Sequence, residues 1–240
     1  MASFAKIRAR AEQRKGGAKA LKALLSPPPD AKALARLKDD RVLAEMTLWI
    51  FRSGFAWKVI EAKWPGFEEA FLGFAPKTLL FQPDEYWEGL ARDTRIVRNG
   101  MKIRSVRENA RFVADVAAEH GSFGKFLAEW PKDDQIGLTA LLTKRGSRLG
   151  GATGQRFLRH VGYDAYFLNR DVAGALRDAG LAIAEAPTSK RDLAAVQEQF
   201  NAWAKETGLS YTELSRICAF SWGENHSPER LAAYMGGESE

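Results

Sequence analysis

The sequence predicts an all-α protein, and three observations support this. Apolar residues recur every three or four positions along most of the chain, which is the spacing of one face of an α-helix. Alternating apolar and polar patterns, typical of strands, are nearly absent. Proline and glycine fall where helices would begin or end, and these breaks predict about ten helices. With 240 residues, of which 45% are hydrophobic, the chain can form one sizeable core or two lobes that share one.

The first predicted element is a basic amphipathic helix within residues 1–25, which hold seven Lys or Arg and one acid. The sequence "SPPPD" at 26–30 follows it as a stiff break. We therefore predict an N-terminal arm over residues 1–40 and a helical domain over residues 41–240. Membrane-surface binding is an alternative function for the arm, but its apolar face is mostly Ala and Leu without Trp.

The main body shows the clearest helical periodicity. The segments are "LAEMTLWIFRSGFAWKVI", "IRSVRENARFVADVAAEH", "LAAVQEQFNAWAKET" and "YTELSRICAFSW". Pro65-Gly66 and Pro131 are expected to end helices, and Asp84 and Ser210 to cap them. The sequence "APTS" at 186–189 is expected to precede the last pair of helices.

Basic residues are concentrated in three blocks of a chain whose formal net charge is +6. Besides residues 1–25, residues 92–112 hold seven basic residues against two acids, and residues 144–170 hold six against one. Together the blocks could frame one nucleic-acid groove. The alternative is that they are solvated helix faces balanced by acids elsewhere. Charge alone would also suit an RNA-binding or ribosome-associated adaptor, for which no motif is present.

The metal and redox signals are weak. Cys218 is the single cysteine, so no internal disulfide is possible, and His120, His160 and His226 do not give metal-ligand spacing with it. The first residues do not read as a secretion signal, and no run of eighteen apolar residues occurs. We expect a cytoplasmic protein with no membrane association, no bound metal and no cofactor.

The stretch "KRGSRLGGATG" at residues 144–154 is the main candidate for binding chemistry. It lies between two predicted helices, "IGLTALLTKRG" and "TGQRFLRHVG", and the whole segment, about residues 136–162, resembles a helix-hairpin-helix. A glycine-rich turn can point backbone N–H groups outward, and the next helix adds the positive end of its dipole. The alternative is an ordinary glycine cap followed by a loop. The DNA-binding candidates are Lys144, Arg145, Arg148, Gly150, Gly151, Thr153 and Gly154.

Asp171 follows Gly151 by twenty residues, across "GATGQRFLRHVGYDAYFLNRD". This arrangement resembles that of the helix-hairpin-helix DNA glycosylase superfamily, in which an aspartate follows the hairpin and opens the next helix. The resemblance implies two helical lobes with the active-site cleft between them, and it proposes Asp171 as the catalytic carboxylate. Asp171 could instead be a simple N-cap. Asp164 is the nearby rival for the catalytic role.

A second resemblance covers residues 45–112, with "GFAW", "AFLGF", "IVRNGMKI" and "NARF". These are similar to the core of DNA-3-methyladenine glycosylase I. The resemblance implies a monomeric base excision repair enzyme that flips an alkylated purine, such as 3-methyladenine, out of damaged double-stranded DNA and hydrolyses its N-glycosidic bond. The chain departs from that family because it lacks residues for the usual zinc site. Trp49 also stands where the family places a base-recognising glutamate.

The predicted base pocket is aromatic, because alkylated bases carry positive charge that aromatic faces attract. Its candidates are Trp57, Trp49, Phe51, Phe55 and Tyr166. Core packing is the open alternative for Trp49 and Phe51. The second hairpin helix begins "ATGQR" without a lysine to attack the sugar, which predicts a monofunctional hydrolase. A non-catalytic helix-hairpin-helix protein that senses damaged duplex is the alternative function.

Overall fold

A computed structural model describes residues 3–27 and 29–226, and these residues contain helices and turns but no strand. The all-α prediction is confirmed. The α-helices are α1 Phe4–Lys15, α2 Ala18–Ala23, α3 Ala31–Ala35, α4 Asp39–Arg52, α5 Trp57–Ala70, α6 Pro76–Leu80, α7 Asp84–Leu90, α8 Gly100–His120, α9 Phe123–Glu129, α10 Gln135–Arg145, α11 Gly151–His160, α12 Arg170–Asp178, α13 Lys190–Thr207 and α14 Tyr211–Ser221. A short 3-10 helix, Leu72–Phe74, follows α5. The helices outnumber the predicted ten because several are single turns whose periodicity is too short to recognise.

Packing divides the chain into two units. One unit contains the described parts of residues 1–29 and 164–240, and the other contains residues 30–163. The predicted boundary at residue 40 therefore does not coincide with a unit boundary. An active-site cleft between lobes stays a prediction.

The first unit has its own core, to which α1 contributes. Phe4, Ile7 and Ala11 are buried among α12, α13 and α14, and the Phe4 ring lies 5.1 Å from that of Trp203. The basic amphipathic helix predicted within residues 1–25 is divided into two shorter helices, because Gly16 and Gly17 adopt φ of +84° and +105° and separate α1 from α2. Such angles suit glycine, which has no Cβ to clash.

The basic residues of α1 have partners in the same unit. Arg10 pairs with Asp178 at 2.9 Å. Arg14 donates to the carbonyl oxygen of Gly223 at 2.7 Å, just beyond α14. Lys15 donates to Asn225 Oδ1 at 2.9 Å, and burial lowers the pKa of its ammonium group. Arg14 and Lys15 thus hold the chain after α14 in place, and Arg10 ties α1 to α12.

The second unit is built on α4 and α8, whose apolar faces pack against each other. An aromatic cluster made of Trp64, Phe67, Phe71 and Phe74 supports α4, with ring centroids 5.4 to 6.0 Å apart. The prediction that Pro65-Gly66 ends a helix is wrong, since α5 continues to Ala70. The cost of proline inside a helix is about 3 kcal/mol, and burial of the two phenylalanines beyond Pro65 offsets it.

Helix caps follow the sequence closely. Ser210 forms a capping box with Glu213 at the start of α14, as its position in the sequence predicts. Ser189, the last residue of "APTS", caps α13. Asp84 is the first residue of α7 and not its cap, which is Pro83. α9 ends at Glu129, just before Pro131, as expected.

Candidate active site and nucleic-acid interface

The turn between α4 and α5 is positioned by a buried lysine. α4 ends at Arg52, and Gly54 turns the chain with φ of +80°. Lys102 Nζ donates to the carbonyl oxygens of Ile50 at 2.8 Å, Phe51 at 3.2 Å and Ser53. Lys102 belongs to the motif "IVRNGMKI" and satisfies carbonyls that the end of a helix leaves without partners. Burial, together with the positive charge of Arg148, lowers the pKa of Lys102.

A cavity of about 150 Å³ opens where this turn meets the start of α11. We call it the Arg–Trp pocket. It is lined by Trp49, Arg52, Ser53, Trp57, Ala152, Thr153 and Arg156. The two indole rings meet edge to face, with centroids 5.4 Å apart and planes at 87°.

Both arginines of the Arg–Trp pocket lie over both indoles. Arg52 Cζ is 4.9 Å from the Trp49 ring centroid and 5.0 Å from that of Trp57. Arg156 Cζ is 5.3 Å and 5.1 Å from the same two centroids. These distances place the guanidinium groups within cation–π range of the rings.

Arg52 is the more buried of the two arginines. Only 5% of its side chain is exposed, and its Nη2 donates to Glu61 Oε1 at 2.7 Å. Its Nε–H is buried and has no hydrogen-bond acceptor among the residues that the structure describes. A buried donor without an acceptor costs about 1–3 kcal/mol. The Arg52 side chain therefore retains an unsatisfied buried donor.

Glu45 lies one turn before Trp49 on α4. Burial raises the pKa of its carboxyl group, and the positive charge of Arg52 opposes this shift. Within residues 3–27 and 29–226, neither Glu45 Oε2 nor the nearby Trp49 Nε1 completes a hydrogen bond of normal geometry, and both atoms are buried. The ring of His160 packs on the other side of Trp49, with centroids 4.5 Å apart.

The five aromatic residues predicted for the base pocket do not share one location. Trp57 and Trp49 line the Arg–Trp pocket. Phe55 is 37% exposed on the α4–α5 turn, with Lys102 Nζ 4.5 Å from its ring centroid. Phe51 is fully buried against Phe67 in the second unit. Tyr166 is buried against Phe200 in the core of the first unit, so neither Phe51 nor Tyr166 lines the pocket.

The hairpin contains α10, the loop 146–150 and α11, as its sequence predicts. Gly151 has φ of +57° at the start of α11, a conformation that favours glycine. Gly154 is buried, and a Cβ atom there would collide with the carbonyl oxygen of Leu149. Gly150 is the N-cap of α11. Gly154 thus allows close packing of the loop, and Gly150 and Gly151 shape the exposed backbone at the helix start.

A buried asparagine fixes the hairpin loop. Asn109 Nδ2 donates to the carbonyl oxygen of Ser147 at 3.0 Å, and the Ser147 N–H donates back to Asn109 Oδ1 at 2.8 Å. Asn109 is the first residue of "NARF" and is fully buried in α8. The motif thus has a physical role, which is to set the position of the loop.

The basic candidates of the hairpin differ in their partners. Arg145 forms a two-bond ion pair with Glu119, at 3.0 and 3.1 Å. Lys144 and Arg148 are exposed, and neither has an acidic partner among the residues that the structure describes. Arg148 itself adopts φ of +60°, and its Nη2 contacts Met101 Sδ at 3.4 Å. Thr153 lines the Arg–Trp pocket.

Asp171 lies in the first turn of α12 but does not cap it. Asn169 is the N-cap, and its side chain accepts from the Val172 N–H at 2.9 Å. The half-buried Asp171 carboxylate forms no hydrogen bond or ion pair within the described part of the chain. Gly223, with φ of +68°, leaves room for it, because a Cβ atom there would collide with Asp171 Oδ1. The interpretation of Asp171 as a simple N-cap is wrong.

The rival carboxylate, Asp164, is engaged in the fold. Its Oδ2 accepts from the Tyr211 N–H at 3.2 Å and its Oδ1 from the Thr212 N–H at 3.0 Å. Both N–H groups belong to the first turn of α14, where backbone N–H groups have no acceptor within the helix. Asp164 therefore stabilises a helix start, and Asp171 is the carboxylate that remains available.

The residues present do not fit the zinc site that the resembled family usually carries. In residues 3–27 and 29–226, no group of three or more His, Cys, Asp or Glu side chains could hold a metal ion. Cys218 is buried in the core of the first unit, and burial raises the pKa of its thiol. A thiolate is the form that binds zinc, so this environment opposes ligation. No described helix is both long enough and apolar enough to cross a membrane.

Sequence reasoning missed several residues of this site. Arg52 and Arg156 line the pocket, Lys102 holds its turn, and Asn109 fixes the hairpin. For Arg52 the sequence carries a signal, because it is three residues after Trp49 and so shares its helix face. For Arg156 no local signal exists, since it meets the tryptophans only through packing of α11 on α4.

Two kinds of comparison show what the chain is similar to. Residues 33–144 match the family model for methyladenine glycosylase. The 8-oxoguanine DNA glycosylase of Methanocaldococcus jannaschii is 16% identical and has a TM-score of 0.53, over 89% of this chain and 92% of that one. The 3-methyladenine DNA glycosylase I of Staphylococcus aureus is 20% identical with a TM-score of 0.47, over 64% of this chain and 85% of that one. At 16% identity, the similarity to the 8-oxoguanine DNA glycosylase is one of fold. Residues 33–144, a little under half of the chain, are thus similar to the methyladenine glycosylase family.

Proposed function

We propose that the protein is a monofunctional glycosylase of base excision repair that hydrolyses the N-glycosidic bond of a damaged purine after flipping it out of double-stranded DNA. It acts as a monomer in the cytoplasm and needs no cofactor. The resemblance to DNA-3-methyladenine glycosylase I implies an alkylated purine such as 3-methyladenine. The observation that carries the proposal is the Asp171 carboxylate, which lies at the start of α12 and has no structural partner in the described chain.

Asp171 suits the chemistry of base excision. Cleavage of the bond from C1′ to the base leaves a sugar with oxocarbenium character, which a carboxylate stabilises. The oxygen of a water molecule then bonds to C1′, and Asp171 accepts a proton from that water. The electron pair of the broken C1′–N bond leaves with the base. A cationic base such as 3-methyladenine thereby becomes neutral and needs no proton, whereas an uncharged purine takes up one proton, which balances the one that water gives to Asp171. The products are the free base and an abasic site.

The hairpin supports the proposal by supplying contacts for DNA. A base inside a duplex is out of reach, and rotating it out costs a few kcal/mol. Phosphate contacts offset this cost, and Lys144, Arg148 and the backbone N–H groups at the start of α11 are suited to make them. Arg145 contributes less, because Glu119 already neutralises it. The Arg–Trp pocket receives the flipped base.

The start of α11 supports hydrolysis without strand cleavage. A glycosylase that also nicks DNA needs an amine to attack C1′ and form a Schiff base. The described helix α11, "GATGQRFLRH", contains no lysine. Water is therefore the nucleophile, and the strand stays intact until alkali or an amine is added.

The test uses a panel of duplexes, each with one damaged purine: methylated bases, hypoxanthine and 8-oxoguanine. We expect abasic sites on at least one duplex, revealed as strand breaks only after alkali. Breaks before alkali would contradict the monofunctional mechanism. If the protein bound every duplex but produced no abasic site in any of them, base excision would be contradicted.

A further inference from the structure

The faces of the two tryptophans in the Arg–Trp pocket are already in contact with cations. The Cζ atoms of Arg52 and Arg156 each lie 4.9 to 5.3 Å from both indole centroids. A methylated adenine in DNA carries a positive charge, and it would have to stack beside two guanidinium groups. Glu61 offsets part of the charge of Arg52, and a cationic base is repelled by the guanidinium charge that remains, most strongly in a partly buried site. The arginines therefore already make the cation–π contacts that the two indole rings could otherwise offer to a cationic base.

We propose that the Arg–Trp pocket selects an uncharged oxopurine, a damaged purine with a carbonyl oxygen on its edge, and discriminates against cationic alkylpurines. This inference rests on the proposed function, in which the pocket receives the flipped base. It names a substrate class that differs from the alkylated purine implied by the sequence resemblance.

The polar groups of the pocket are mainly donors. A guanidinium has five N–H donors and no acceptor. The Arg52 Nε–H is buried without an acceptor in the described chain, on a side chain that is only 5% exposed. A carbonyl oxygen is the kind of acceptor that guanidinium donors bind. The O6 and N7 atoms of hypoxanthine match arginine in a two-bond geometry, and 8-oxoguanine keeps the O6 acceptor beside an N7–H donor. Adenine presents an amino donor in place of O6.

The acidic residues near the pocket do not favour a cationic base. Glu61 is already paired with Arg52 at 2.7 Å. Burial raises the pKa of Glu45, the positive charge of Arg52 opposes this shift, and Glu45 is not among the residues that line the pocket. Trp49 stands at the position where the resembled family places its base-recognising glutamate. Among the described residues that line the pocket, none is a carboxylate that could neutralise a cationic base.

The size of the pocket is consistent with reading one edge of a base. Its volume of about 150 Å³ is similar to that of a cavity that holds benzene, so it accommodates one ring with its substituents. Ser53 and Thr153 lie on its wall and can each donate or accept. These hydroxyl groups fix the orientation of the bound ring, while the arginines determine that its edge must present hydrogen-bond acceptors.

The test compares single-turnover release of hypoxanthine and 8-oxoguanine with release of 3-methyladenine and 7-methylguanine. Each rate is divided by the spontaneous rate from the same duplex, because cationic bases leave more easily. We expect larger rate enhancements for the oxopurines than for the methylated bases. In the Arg156→Gln variant, the ratio of these enhancements should fall by roughly tenfold. Arg156→Lys, which keeps the charge, should still discriminate against the cationic bases. Lys132→Gln removes an exposed charge outside the pocket and serves as the control for net charge.

Equal or larger enhancement for the methylated bases would overturn the inference and leave the proposed function intact. No release from any duplex would instead contradict the proposed function. In that event the inference is judged by ligand-observed NMR with two nucleosides of similar size. Binding of 2′-deoxyinosine that is weakened in Arg156→Gln would support it. Binding of cationic 1-methyl-2′-deoxyadenosine at equal strength, or binding of neither nucleoside, would overturn it.

Discussion

Helix α1 and the hairpin are both basic in sequence, but their charges have different environments. Arg10, Arg14 and Lys15 of α1 pair with Asp178, a carbonyl oxygen and Asn225 within their own unit. Lys144 and Arg148 of the hairpin have no acidic partner in the described chain. The number of basic residues is thus a poor guide to DNA binding. What distinguishes the hairpin is that its charges are left available.

The same contrast holds for the two aspartates of the first unit. Asp164 accepts two backbone N–H groups of α14, whereas Asp171, seven residues later, accepts none from the residues that the structure describes. A carboxylate that satisfies helix donors contributes to stability. A carboxylate that is held near a helix start without a partner has its oxygen atoms available to bind a substrate.

The largest effect is expected from breaking the hairpin itself. Gly154→Ala places a Cβ atom against the carbonyl oxygen of Leu149, a backbone atom that cannot turn aside. We expect the free energy of unfolding, measured in urea, to fall by about 2–3 kcal/mol, with loss of DNA binding. Gly89→Ala, in the open part of α7, is the matched control and should be neutral or stabilising. Unchanged stability of Gly154→Ala would show that the hairpin does not need this close packing.

A smaller effect should separate the two aspartates. Asp164→Ala leaves two N–H groups at the start of α14 without their acceptor, so we expect unfolding to require about 1–2 kcal/mol less. Asp171→Ala should change stability by less than about 0.5 kcal/mol, as for a residue without such partners. Urea denaturation of both variants measures the difference. Equal losses of stability would remove the distinction between them.

The smallest effect concerns the basic residues. Lys144→Gln with Arg148→Gln should weaken DNA binding and reduce the salt dependence of its affinity, by about 0.9 in slope for each phosphate that the protein no longer neutralises. Arg14→Gln should instead lower stability by about 1 kcal/mol and leave the slope unchanged, because its partner is a carbonyl oxygen of the fold. Fluorescence anisotropy at several salt concentrations gives the slopes. If Arg14→Gln reduced the slope and the hairpin variant did not, α1 and not the hairpin would be the region that contacts DNA phosphates.

Much of the fold follows from local sequence signals. The capping box at Ser210, the end of α9 before Pro131 and the hairpin glycines were all predictable, because each depends on neighbouring residues. Pro65 was misleading, since burial of aromatic residues beyond it outweighs the local cost of proline. The broken N-terminal helix depends on two consecutive glycines, a signal that the amphipathic pattern on either side obscures.

The site was less predictable than the fold. Trp49 and Trp57 were expected in the pocket, and they line it. The two arginines over their rings come from helices about one hundred residues apart, and only tertiary packing brings them together. The sequence also could not tell that Asn169 caps α12 in place of Asp171, because both residues are favoured at helix starts.

The availability of the Asp171 carboxylate is the central claim, and single-turnover base release by Asp171→Asn tests it most directly. The substitution keeps the shape against Gly223 and removes the charge, and Asp178→Asn on the same helix is the control. We predict that Asp171→Asn slows release at least about 100-fold on the best duplex of the panel, with unchanged DNA affinity. Release within about threefold of the unaltered protein would contradict a catalytic role for Asp171.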